Sequence, residues 1–79
     1  MSSLDLDIDT QLIVLESEWR QAYEASIAAR AEYQAVARDR KARSLVIDRA
    51  REHLDKTEAT KERIMTKIER LEERLLGND

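Results

Sequence analysis

The side chains best suited to chemistry are a single histidine, His53, and two pairs of carboxylates one helical turn apart, Glu58 with Glu62 and Glu69 with Glu73. A metal ligand or general base at His53 would need partners. The chain has no second histidine, no cysteine and no His-Glu-x-x-His spacing, so the residue types of a metal site are missing. His53 is therefore read as structural or solvent-facing. Paired carboxylates do acid–base work when a concave pocket pushes their pKa values apart. On a helical ridge they are solvated faces, and neither an enzyme nor a cofactor is expected.

Two other groups are suited to binding rather than to catalysis. Arg38, Arg40, Lys41 and Arg43 stand close together with Asp39 as the one acid among them. Such a cluster can meet phosphates or an acidic protein surface, or form a solvated turn at the negative end of a helix dipole. No aromatic residue is interleaved with these bases and the formal net charge is -3, which weighs against nucleic acid. Trp19, Tyr23 and Ile27 recur at helical spacing. They serve either core packing or a docking face, since Trp and Tyr are favoured interface anchors.

What must position these residues is a heptad ladder. With Leu12 as a and Leu15 as d, the frame runs through Trp19, Ala22, Ser26, Ala29, Tyr33 and Val36. It resumes at Ile47, Ala50, Leu54, Thr57, Lys61, Ile64, Ile68, Leu71 and Leu75. This is coiled-coil spacing. Charged residues make up 39% of the chain, a fraction that without pattern would imply disorder. The apolar residues are patterned, proline is absent and the one glycine is Gly77, so long helices are expected.

The acidic N-terminal stretch of residues 1–8 alternates apolar and acidic residues and has no strand to pair with. It is expected to be a flexible arm, with Asp7 or Asp9 capping a first helix over about residues 9–38. Between Arg38 and Ser44 the seam positions become Arg40 and Arg43, which predicts a bend at about residues 39–44. A second helix over about residues 45–76 follows, with Ser44 as a candidate cap. Gly77 is placed to turn left-handed at its end, and residues 77–79 form a tail. Asp55 and Glu58 have capping-box spacing, so a second break near residues 55–60, giving a three-helix bundle, is an alternative.

Folding the chain back at residues 41 and 42 places Ile8 level with Leu75, Leu12 with Leu71, Leu15 with Ile68 and Trp19 with Ile64. Further along, Ala22 meets Lys61, Ser26 meets Thr57, Ala29 meets Leu54, Tyr33 meets Ala50 and Val36 meets Ile47. A parallel pair of straight helices would instead stack Arg40, Arg43 and Lys61 each on its own copy, which like-charge repulsion disfavours. An antiparallel dimer of long helices makes the hairpin's layers between chains, as its swapped form. The expected fold is thus all-α, an antiparallel helical hairpin.

Ile13, Tyr23, Ile27 and Ala37 lie at b and e beside the seam, more apolar flank than one partner helix covers. A chain of 79 residues also buries little surface alone. Dimerisation of two hairpins into a four-helix bundle is therefore expected. The sequence points to a small non-catalytic protein-protein interaction module, with itself and another protein as partners. The alternative is a nucleic-acid-binding hairpin using the basic bend. No stretch of the sequence has the length and apolarity of a membrane span, and the lack of cysteine suits a reducing, cytoplasmic setting.

Overall fold

The computed structural model describes the backbone of residues 3–77 and the side chains of residues 8–77. Helix α1 spans Ser3–Arg38 and helix α2 spans Ser44–Leu75. They fold back on one another as an antiparallel hairpin, a rod of 62 × 19 × 14 Å. Among the described residues there is no strand, and no helix is long and apolar enough to cross a membrane.

Burial follows the heptad frame. On α1 the described side chains that are not exposed are Ile8, Leu12, Leu15, Trp19, Ala22, Ser26, Ala29, Tyr33 and Val36, every one of them at a or d. On α2 the a and d residues from Ile47 to Leu71 behave likewise, joined by Glu58 and Met65 at e. At mid-seam Ser26 and Ala29 are 2% and 3% exposed, and Ala50 nearer the bend is also buried. Small side chains there allow close approach of the backbones. Among the described residues Ile68 and Leu71 are the large side chains buried in the seam, and no large side chain is buried completely.

The bend needs neither glycine nor proline. The Asp39 carboxylate accepts a hydrogen bond from the Lys41 N–H at 2.9 Å, and the Ala42 N–H donates to the Asp39 carbonyl at 3.1 Å. The aspartate side chain thereby mimics a backbone turn. At the other end of α2, Gly77 has φ 70° and its N–H donates to the Arg74 carbonyl at 3.1 Å. That is the left-handed stop expected of a lone C-terminal glycine.

Three expectations are corrected. α1 begins at Ser3, not near Asp9, so residues 3–8 extend the helix in place of a flexible arm. Nothing in the sequence of that stretch breaks a helix. Residues 1–2 of the arm and residues 78–79 of the tail lie outside the described residues. Ser44 is inside α2 and not its cap. The cap position is Arg43, at φ -75° and ψ 150°, and it makes no side-chain capping bond.

The break near residues 55–60 is absent, because α2 runs through it. Capping-box spacing without a helix breaker is satisfied inside a continuous helix. In the layer of Ser26 and Thr57 the two hydroxyls do not bond to each other. Each donates to its own helix, Ser26 to the Tyr23 carbonyl at 2.8 Å and Thr57 to the Leu54 carbonyl at 2.9 Å. A carbonyl three residues back is always within reach of such a hydroxyl.

The uncapped start of α2 yields a prediction. Arg43→Asp supplies the missing acceptor and removes a cation from the positive end of the dipole, and should stabilise the hairpin by about 0.5–2 kcal/mol. Thermal melting followed at 222 nm should rise by several degrees. An unchanged midpoint would contradict this view of the bend.

Candidate interaction surfaces

In an antiparallel pair the e positions of both helices flank the seam on one side and the g positions flank it on the other. The two sides of this hairpin differ in chemistry. Trp19, Tyr23 and Ile27 lie on the e side. The Trp19 and Tyr23 rings stack, with centroids 5.2 Å apart and planes 14° from parallel. Lys61 leaves the seam to place its ammonium 5.7 Å from the centre of the Tyr23 ring. Its Nζ is 2.9 Å from the Glu58 carboxylate, which also pairs with Arg30 of α1. Further toward the bend the Arg51 guanidinium sits 5.8 Å over the Tyr33 ring and donates to its hydroxyl at 3.4 Å.

The e side is thus clasped by aromatic and ionic contacts between the helices. A depression of about 310 Å³ remains, lined by Tyr23, Ile27, Ala31, Gln34 and the ion pair. Another of about 450 Å³ lies beside Trp19 and Met65.

Glu58 corrects the reading of the carboxylate pairs. It is half-buried and ion-paired instead of belonging to a solvated face. The Lys61 ammonium, and after it the Arg30 guanidinium, hold its carboxyl below the ordinary value of 4.5. A depressed acid favours the fold above its ordinary pKa, and that contribution is lost as pH falls through the lowered value. Glu58→Gln should be less stable than the parent at pH 7, and the difference in urea midpoint should close in acid below the ordinary carboxylate range. A difference that stays constant with pH would show that the charge of Glu58 is not what matters.

At the bend, Arg38 ends α1 while Arg40, Lys41 and Arg43 stand on the tip, all exposed. These four residues are together, and so are Trp19, Tyr23 and Ile27. The two groups are separate surfaces, since Ile27 and Arg38 are about 17 Å apart along α1 at 1.5 Å per residue. His53 is exposed on the g side beside Lys56. Among the described residues no group of three or more His, Cys, Asp or Glu side chains could hold a metal ion.

The g side carries residues that the sequence reading missed. At c and g of α2 stand Val46, Arg49, His53, Lys56, Thr60, Arg63, Lys67, Arg70 and Arg74, with no acid among them. At b, e and f of the same helix stand Asp48, Glu52, Asp55, Glu58, Glu62, Glu69, Glu72 and Glu73, with Arg51 as the one base. Read linearly, acids and bases alternate and look evenly mixed. Phased on the heptad frame they separate into two stripes, and that phasing was the signal available.

Across the g side, α1 presents Gln11, Val14, Glu18, Gln21, Ala25, Ala28, Glu32 and Ala35. Three depressions lie in line along this groove, of about 520 Å³ near Val14 and Leu71, 180 Å³ near Ala25 and Thr60, and 340 Å³ near Val36 and Val46. Among the described residues, both ion pairs belong to the e side. Comparison with protein-family models, with curated proteins and with solved structures finds no match to this chain.

Proposed function

We propose that the chain is a non-catalytic protein-protein interaction module, acting as a regulator, inhibitor or assembly factor through its helical surfaces. Its first partner is a second copy, with two hairpins packing as a four-helix bundle across the e side. The observation that carries this reading is the apolar surface a single hairpin leaves open. Ile13, Ile27 and Tyr23 remain 69%, 51% and 42% exposed, and among the described residues no large side chain is fully buried. A pair of helices can cover only one stripe of each, whereas four helices enclose two. Tyr23 and Ile27 line one depression beside the seam, so a helix laid there continues the existing core.

A second reading, nucleic-acid binding by the bend, has one observation in its favour. Arg40, Lys41 and Arg43 stand at the positive end of α2, whose first turn contains no acid. The readings part on salt, because phosphate contacts weaken steeply with ionic strength and apolar burial does not. Sedimentation equilibrium over a concentration series at two salt levels tests the first reading. The expected mass is twice the 9.2 kDa of one chain, held at high salt. A monomer at every concentration would overturn self-association.

A further inference from the structure

We propose that the g-side groove receives an acidic amphipathic helix from another protein, with the cations of α2 as one rail and the small side chains of α1 as the floor. This rests on the reading of the chain as a binding module, but uses a face other than the self-association surface.

Charge is the first argument. From Arg49 to Arg74 the stripe runs about 37 Å; its cations Arg49, Lys56 and Arg63 are about 10.5 Å apart, and from Arg63 through Lys67 and Arg70 to Arg74 the steps shorten to about 6 and 4.5 Å. A second helix with acids at its own c and g positions repeats the same steps, so the two ladders can stay in register from Arg63 to Arg74. Among the described residues none of these cations is engaged in an ion pair, while the acids of the opposite stripe include the clasped Glu58. The side chains of the stripe are exposed, and a row of exposed cations favours an anionic partner and speeds its encounter.

Shape is the second argument. Ala25, Ala28 and Ala35 keep the α1 wall low, allowing a helix axis to approach within about 8–10 Å. The aligned depressions accept apolar side chains from that helix, the widest lying between Val14, Leu15 and Leu71 at the open end. A groove with an apolar floor and one charged rail matches the two faces of an amphipathic helix.

Nucleic acid fits less well. Its duplex carries a negative charge about every 1.7 Å of axis. Wider than a helix, it would reach the acidic stripe over the crest of α2. It would also leave the apolar floor unused.

The test uses the full chain and three fluorescent probes: a 28-residue helical peptide with Leu and Ala on one face and Glu on its flanks, a scrambled peptide of the same composition, and a 20-base-pair DNA duplex. Anisotropy titrations are run on the parent and on Arg63→Glu/Lys67→Glu/Arg70→Glu, whose sites are exposed and whose helicity is checked by circular dichroism. The patterned peptide should bind the parent best, and about tenfold or more weaker to the triple variant. Ala25→Glu with Ala28→Glu, on the floor, should weaken it as well.

Equal binding of the scrambled peptide would mean that charge alone acts, and tighter binding of the duplex would mean that the stripe serves nucleic acid. Either result overturns the proposal, as does no binding of the patterned peptide or binding unmoved by the triple variant. A failure here with a dimeric mass intact would remove the g-side partner alone. A monomeric mass with peptide binding intact would remove the e-side dimer alone.

Discussion

Replacing Ile68 and Leu71 together by alanine is expected to open the hairpin from its free end. These are the large side chains that the seam buries, at 6% and 9% exposure, and the layers nearer the bend rely on alanine, serine and half-covered residues. Truncating a buried Ile or Leu to Ala costs about 2–5 kcal/mol. Small domains hold only about 5–15 kcal/mol in total, and a two-helix rod belongs at the low end. The double variant should lose its cooperative melt and much of its signal at 222 nm. Leu76→Ala is the control, since Leu76 lies exposed beyond the end of α2 and its truncation should fall within about 0.5 kcal/mol. Equal losses in the two variants would mean that the seam is not where the stability resides.

If two hairpins associate across the e side as proposed, Tyr23→Asp combined with Ile27→Asp should yield a monomer while leaving the hairpin folded. Neither residue belongs to the seam, so the layers from Ile8 to Leu71 keep their partners. In a bundle built across the e side, both would carry a charge into a closing apolar interface. Anchors of this type are worth about 2 kcal/mol or more each, so the pair should weaken self-association by roughly a hundredfold or more. Because Tyr23 also stacks on Trp19 and lies under Lys61, Ile27→Asp alone separates the interface from that network. A dimer that persists unchanged in both variants, with helicity intact, would place self-association elsewhere.

What could be read directly from the residues was the seam. A heptad frame depends on spacing alone, and every α1 side chain withdrawn from solvent among the described residues sits on it. The bend was legible as a loss of apolar seam residues at Arg40 and Arg43. Its mechanism lay in Asp39, whose carboxylate completes the turn.

The start of α1 was misread because the alternation from Leu4 to Ile8 mimics a strand, although no residue there forbids a helix. Ser44 looked like a cap by type, yet the chain enters helical geometry one residue sooner, and which residue is half in depends on where the bend releases the backbone. Glu58 was assigned to solvent because its partner Arg30 lies on the other helix, a pairing set by the fold-back. The basic stripe was hidden for a different reason. Its members are three and four residues apart, and only the heptad phase separates them from the acids between.

A distance measured within one chain tests the hairpin most directly. Cysteine is absent from the sequence, so Ser17→Cys and Thr66→Cys, at exposed f positions, can carry two spin labels without disturbing the seam. Doubly labelled chains are diluted into excess unlabelled protein, and the distance is read by pulsed electron resonance. A hairpin closed within the chain predicts a separation of about 20–30 Å, set by two helix diameters, that survives dilution. A straight helix paired between molecules would put the labels of one chain about 74 Å apart. Loss of the short distance on dilution would contradict the fold-back and, with it, the separation of an e side from a g side within one molecule.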